Sequence, residues 1–225
     1  MVRFANELIA NLPDWGPQML GAALQTLRLT ATSFMLAVLI GAAGALARTS
    51  RSWALRWFAI LYVEVGRGTP ALVILFVIYF GLPAVFPSLE FDSFTAAAIG
   101  LGLQGGALLA EVFRAGIEAI DRGQREAALS LGLTPALTMT DVIAPQAIRI
   151  VLPPLGNYAI GLLKDTSVAS IIAAPELMLR AKDLASSSFM PMHLYVLAAV
   201  FYFAMSYPLS LIVRRLEVAF SKGHH

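Results

Sequence analysis

Residues 29–46 and residues 93–110 each run for 18 positions without a charged side chain. Runs of that length approach the ~20 apolar residues that carry an α-helix across a bilayer core. Inside lipid every backbone N–H and C=O must find its partner within the protein, which limits such segments to packed helices. The rest of the composition agrees: 58% of the residues are hydrophobic and only 13% charged, mean hydropathy is +0.75, and a soluble domain carries roughly 25% charge. The chain is read as an all-α integral membrane protein. No segment of its 225 residues outside the apolar runs is long enough to build a core of its own, so residues 1–225 are expected to form one transmembrane domain.

Several chemistries are excluded. With no cysteine, the chain has no disulfide, no thiolate metal site and no cysteine nucleophile, and its redox compartment cannot be inferred. A net charge of +2 gives no argument for nucleic acid. There is no Gly-x-x-x-x-Gly-Lys-[Ser/Thr] phosphate loop, the motif whose backbone N–H groups cradle phosphates. No carboxylate pair stands at ligand spacing, and no Ser, His and Asp constellation is present, so neither catalytic residues nor a metal site are expected. The terminal Gly223-His224-His225 reads as a purification-tag remnant. His193, beside Pro191, reads as an interfacial residue.

Five spans are predicted. Residues 1–18, with Arg3, Glu7, Pro13 and Asp14, read as an interfacial helix or arm. The first span follows, from near Gly21 to Leu46. Arg48, Arg51 and Arg56 with Trp53 and Trp57 form a basic loop with interfacial aromatics, and the second span runs from there to about Leu82. Residues 93–110 are the third span, where Gly102 and Gly106, four apart, signal close helix packing. The fourth covers 147–172, interrupted by Pro153-Pro154 and by Lys164-Asp165, and the fifth 190–213; residues 173–188 are read as a loop. Ten basic residues collect on one side: Arg48, Arg51, Arg56, Arg114, Arg122, Arg125, Arg149, Arg214, Arg215 and Lys222. The other side has Arg3, Arg180 and Lys182. The positive-inside rule therefore places the N-terminus outside and the C-terminus in the cytoplasm.

Between the third and fourth spans lies a polar insert, residues 117–146. Asp121 is placed to cap a short helix, with Gln124 three residues on as in a capping box and Gly132 as its left-handed stop. Thr134 caps the next helix, and Pro135 occupies its first position, where the missing N–H costs nothing. The small Ala127 and Ala128 leave a flat face open to close approach by another protein. A purely structural hairpin joining two spans is the alternative.

At these residues the chain resembles the permease subunits of ATP-binding-cassette importers, in particular the polar amino acid uptake group. Their cytoplasmic signature runs Glu-Ala-Ala, three residues, Gly, nine residues, then Ile-x-Leu-Pro. Glu126-Ala127-Ala128 and Gly132 match it; Val142-Ile143-Ala144-Pro145 keeps the proline but carries Val for Ile and Ala for Leu. The resemblance extends to Glu64-Val-Gly-Arg-Gly-Thr-Pro70, Ala110-Glu-Val-Phe-Arg-Ala-Gly-Ile117, Leu152-Pro-Pro-Leu-Gly-Asn-Tyr158 and Leu163-Lys-Asp-Thr-Ser167. It implies a type I importer fold in a bacterial cytoplasmic membrane. It implies that Arg125, Glu126, Ala127, Ala128 and Gly132 dock a separate ATPase, which holds the ATP and Mg. It also implies a second, identical or homologous permease chain, an extracytoplasmic binding protein and a polar or basic amino acid as cargo.

Charges inside a membrane are costly and default to functional hypotheses. At ~1.5 Å rise per residue, Glu111 falls ~27 Å along the third span, at the cytoplasmic surface, where a structural role suffices. Glu64 and Arg67 lie ~10 and ~15 Å past Trp57, near the membrane middle on one face, as an internal ion pair or a substrate contact. Lys164 and Asp165 lie ~22 Å beyond Arg149, in the outer half. A neighbouring cation and anion suit an amino acid, which brings both charges; a structural pair is the competing reading. Thr166 and Ser167 add hydrogen-bonding capacity, and Gln104, Asn157 and Tyr158 are further candidates for the path. An ion-coupled carrier or channel built on Glu64, Arg67, Lys164 and Asp165 is the alternative function, and a structural membrane protein a third.

Overall fold

The computed structural model describes Val2–Ser221, all of it helix, turn or short connection, with no strand among the described residues. Met1, Lys222 and residues 223–225, expected as a tag remnant, lie outside the described residues.

The chain is built around α4, Ser93–Glu118. Asp92 starts it, its carboxylate accepting from the backbone N–H groups of Phe94 and Thr95 at 3.0 and 3.1 Å. Small residues let the other helices close on α4. A Cβ at Gly102 would stand 2.7 Å from Leu36, and one at Gly106 2.6 Å from Ile40, both on α1. The seam is reciprocal, since a Cβ at Gly41 of α1 would stand 2.8 Å from Leu109. Lipid offers helices no hydrophobic drive to associate, so packing at such small-residue seams supplies much of the adhesion. The expected Gly102 and Gly106 pair does pack in this way.

Helix α1, Val2–Arg48, is one continuous helix of 47 residues. The expected separate arm over 1–18 is thus incorrect: Pro13 and Pro17 lie within the helix. Each proline costs a backbone hydrogen bond, but Trp15, Met19 and Ala23 recur at helical spacing and pack against Leu177, Ala181, Leu194 and Ala198. That burial holds the segment helical. His193, at the start of the last helix, is buried, stacked on Phe4 at 4.1 Å with Nε2 3.3 Å from Glu7.

The second span is broken. Helix α2, Trp53–Gly68, meets α3, Ala71–Val85, at a bend of 110°. Pro70 disfavours helical backbone at the residue before it, and Thr69 is accordingly extended, at φ −101° and ψ 130°. After α4 comes α5, Arg122–Ser130. A turn at Pro135–Leu137 and a π-helical stretch at Thr138–Ile143 then lead without a break into α6, Ala144–Asp165. Pro153-Pro154 does not interrupt α6, which ends instead in a 3-10 turn at Thr166–Ile172. Residues expected as a loop contain α7, Leu177–Ser188. The last helix is α8, Pro191–Ser221.

Three helices are long and apolar enough to cross a membrane by themselves, α1, α4 and α8, and the bent α2–α3 pair makes a fourth candidate. Helix α6, with 22 residues, carries Arg149, Asn157, Lys164 and Asp165 and does not stand out as apolar in the same way.

Candidate functional site

The insert hangs from the end of α4. Asp121 caps α5 by accepting from the Gly123 N–H at 2.7 Å. The expected reciprocal capping bond is absent; the Gln124 side-chain Oε1 instead accepts from the Gln146 side-chain amide at 3.4 Å, tying α5 to the start of α6. Gly132 stops α5 at φ +83°. The Leu133 N–H reaches the Ala128 carbonyl at 3.2 Å and the Gly132 N–H that of Leu129 at 3.0 Å, the paired bonds of a Schellman stop. Thr134 caps the next turn by accepting from the Leu137 N–H at 3.3 Å, with Pro135 at its first position.

The two alanines part company. Ala128 is 4% exposed and packed inward, whereas Ala127 is exposed, so the flat outer face belongs to Ala127 alone. Sequence reading missed Leu131, which is 83% exposed at the tip; its position at the helix stop, outside the apolar periodicity, was the available signal. Behind the hairpin a cleft of about 580 Å³ is lined by Thr49 of the α1 end together with Glu118, Asp121, Arg122, Arg125 and Glu126.

An ion network ties the stem together. Glu111 accepts from Arg48 of α1, and from Arg114 of its own helix at 2.9 and 3.1 Å. Arg114 also donates to Glu118.

The substrate-path candidates divide by burial. Glu64 and Arg67 on α2 are both exposed and form no ion pair with each other. The Gln104 amide donates to the Thr69 carbonyl at 3.2 Å, bracing the α2–α3 corner from α4. On α6, Asn157, Lys164 and Asp165 are exposed. Neither Lys164 nor Asp165 is in an ion pair among the described residues, so the dry structural pair expected as an alternative is not formed within this chain. Tyr158 is turned into the bundle against Gly105 and faces Phe34 with ring centroids 6.3 Å apart. Thr166 is fully buried, its hydroxyl donating to the Leu163 carbonyl at 2.7 Å. Ser167 is half-buried, and its carbonyl accepts from Ser170 at 2.7 Å.

Sequence reading also missed Glu176. Only 1% exposed, it caps α7 by accepting from the N–H groups of Met178 and Leu179 at 2.7 and 2.5 Å, and from the Tyr202 hydroxyl at 2.8 Å. The signal available was the spacing of Leu177, Ala181 and Ala185, which all face inward.

A polar hairpin carried on a bundle of apolar helices is the arrangement of one known group of membrane proteins, and residues 18–223 match the binding-protein-dependent transport system inner membrane component family. The chain belongs to that family. It is 44% identical over 180 residues, 80% of this chain and 79% of the other, to the probable amino-acid ABC transporter permease protein YckA of Bacillus subtilis (strain 168). It is 38% identical over 210 residues, 91% of this chain and 96% of the other, to the glutamine transport system permease protein GlnP of Escherichia coli (strain K12). Among solved structures, a chain from an amino acid ABC transporter crystallised with histidines superposes at TM-score 0.87 with 36% identity, covering 93% of this chain and 97% of that one. A chain of the inward-facing MetNI methionine ABC transporter shares the fold at TM-score 0.69 and 19% identity, covering 88% of this chain and 95% of that one. The chain is thus the inner membrane component of a binding-protein-dependent transport system with a type I importer fold, and the ion-coupled carrier and structural-protein readings fall away.

Proposed function

We propose that this permease forms the translocation path of an ATP-driven amino acid importer and receives its energy through the 117–146 insert. The observation that carries the reading is the outward face of the hairpin. Ala127 and the 83% exposed Leu131 stand unpacked on a unit fixed by a side-chain cap at each helix start and a Schellman stop between them. A rigid, partly apolar projection fits the groove of another protein; a mere connector has no need of one. Arg125, Glu126, Ala127, Ala128 and Gly132 form the docking element, Ala128 by seating α5 from within. The partner is an ATPase that binds ATP and its Mg, since this chain has no phosphate loop.

Residues 1–225 act as one membrane domain of five spans in the bacterial cytoplasmic membrane, N-terminus outside and insert within. The domain pairs with a second permease chain, and an extracytoplasmic binding protein delivers the cargo. Closure of the ATPases moves the hairpins and rocks the spans between inward- and outward-facing states. Exposed charges without partners at membrane depth are tolerated only against water or another protein. Glu64, Arg67, Asn157, Lys164 and Asp165 therefore line the path or its closing interface, where an amino acid's ammonium and carboxylate find opposite charges. Tyr158, Gln104, Thr166 and Ser167 shape that path from behind.

The test is Gly132→Asp in the reconstituted transporter. A side chain at φ +83° is strained, so the stop unwinds while the membrane bundle, remote from it, stays folded. Uptake and substrate-stimulated ATP hydrolysis are expected to fall together at unchanged thermal stability. Normal uptake by the variant refutes the docking role.

A further inference from the structure

Arg48 and Arg114 differ from the other arginines assigned to their side of the membrane. Arg51, Arg56, Arg122, Arg125 and Arg149 are exposed, and none forms an ion pair among the described residues. The Arg48 side chain is only 17% exposed and crosses from the end of α1 to Glu111 of α4, whose side chain is 26% exposed. Glu111 is fully engaged, one oxygen receiving Arg114 and the other shared by Arg114 and Arg48. The network runs on to Glu118, three residues before the cap of the docking helix.

Two further contacts surround this bridge. One turn deeper, a Cβ at Gly44 would stand 3.1 Å from the Cβ of Ala110, so α1 and α4 pack closely there. Next to Arg48, Thr49 lines the same cleft as Arg122, Arg125 and Glu126 of α5. Helix α1 then continues unbroken to Val2, packing Trp15, Met19 and Ala23 against α7 and α8. A displacement of the hairpin reaches the far end of the bundle through α1 only if the α1 end moves with the α4 stem.

We propose that Arg48, through Glu111, clamps the cytoplasmic end of α1 to the stem of the hairpin and is a positioning residue for energy coupling. The proposal rests on the docking role of the insert. Arg114 and Glu118 orient Glu111 along its own helix; Arg48 supplies the connection between helices.

The experiment uses the complete transporter, reconstituted with its ATPase, second permease chain and binding protein, and reads uptake per ATP hydrolysed, basal ATPase rate and thermal stability. Arg48→Gln leaves Glu111 paired with Arg114, so no buried charge is orphaned. Arg114→Gln removes the same charge from the same network but leaves the bridge between helices. Arg48→Gln is expected to lower uptake per ATP by about five-fold or more, the lower end of coupling factors between sites, with basal hydrolysis and stability near wild type. Arg114→Gln and the conservative Arg48→Lys are expected to stay within about two-fold of wild type, below that coupling range. Oxidation of Gly44→Cys with Ala110→Cys, in an otherwise cysteine-free chain, is expected to leave transport running, because the joined segments move together. Unchanged coupling in Arg48→Gln, an equal loss in Arg114→Gln, a loss that follows thermal stability, or arrest by the disulfide each overturns the clamp. Gly132→Asp, run in parallel, separates the two ideas. Normal transport in that variant removes the docking role itself, whereas its failure beside a normal Arg48→Gln removes only the clamp.

Discussion

A single added carbon separates packing from chemistry at several positions of this bundle. Gly105 lies directly under the Tyr158 hydroxyl, and a Cβ there would also stand 2.7 Å from Ala37 on α1. Gly105→Ala is therefore expected to force α1 and α6 off α4 and to cost ~1–3 kcal/mol, the usual range for overpacking, measured as thermal stability in detergent. Gly161 has open space around its Cβ position, so Gly161→Ala is the matched control. Lys164 and Asp165 show the opposite case. Both are exposed and outside any ion pair among the described residues. Asp165→Asn is thus expected to cost less than ~1 kcal/mol, in line with exposed charges, and not the ~3–5 kcal/mol of a broken buried pair. Substrate affinity of the intact transporter should fall instead. A large stability loss with unchanged affinity would return the pair to scaffolding.

Among elements, α7 shows what the sequence hid. Its stop uses Phe189 at φ 58°, and the 3-10 turn before it ends at Ala173 with φ 56°. These left-handed positions usually announce themselves as Gly or Asn, so without that marker residues 173–188 read as a loop. Helix α1 was obscured in the same way, because Pro13 and Pro17 argue locally for a break that Trp15 and Met19 override through long-range packing. The insert was legible because each of its signals is local: Asp121, Gly132, Thr134 and Pro135 act within four residues of themselves. What local reasoning could not supply there was facing, hence the inward turn of Ala128 and the engagement of Gln124 with Gln146. Facing was hidden in the same way for two substrate-path candidates, since spacing along α6 and the 3-10 turn after it does not reveal that Tyr158 and Thr166 look into the bundle. Glu176 gives α7 its own test. Glu176→Ala orphans two backbone N–H groups and the Tyr202 hydroxyl. It should destabilise the protein by ~1–3 kcal/mol, as buried unsatisfied groups do, whereas Glu176→Gln, which keeps an acceptor, should cost less in the same melting assay.

At the scale of the whole molecule, α4 is the axis. Its glycines admit α1, α2 and α3 along the membrane. Its end carries the ion network, and Asp121, the cap of α5, stands three residues on. The proposed function requires that the partner seated on the 117–146 hairpin is an ATPase. The chain contains no cysteine, so a thiol placed at one position reports that position alone. Ala127→Cys, exposed, and Ala128→Cys, 4% exposed, are adjacent positions about 100° apart around one short helix. Labelled with a short thiol-reactive photocrosslinker and assembled with the ATPase of its transporter, Ala127→Cys is expected on illumination to give an adduct at the summed mass of the two chains, and Ala128→Cys little or none. No adduct from Ala127→Cys in a complex that transports, or equal yields from both positions, would contradict the account.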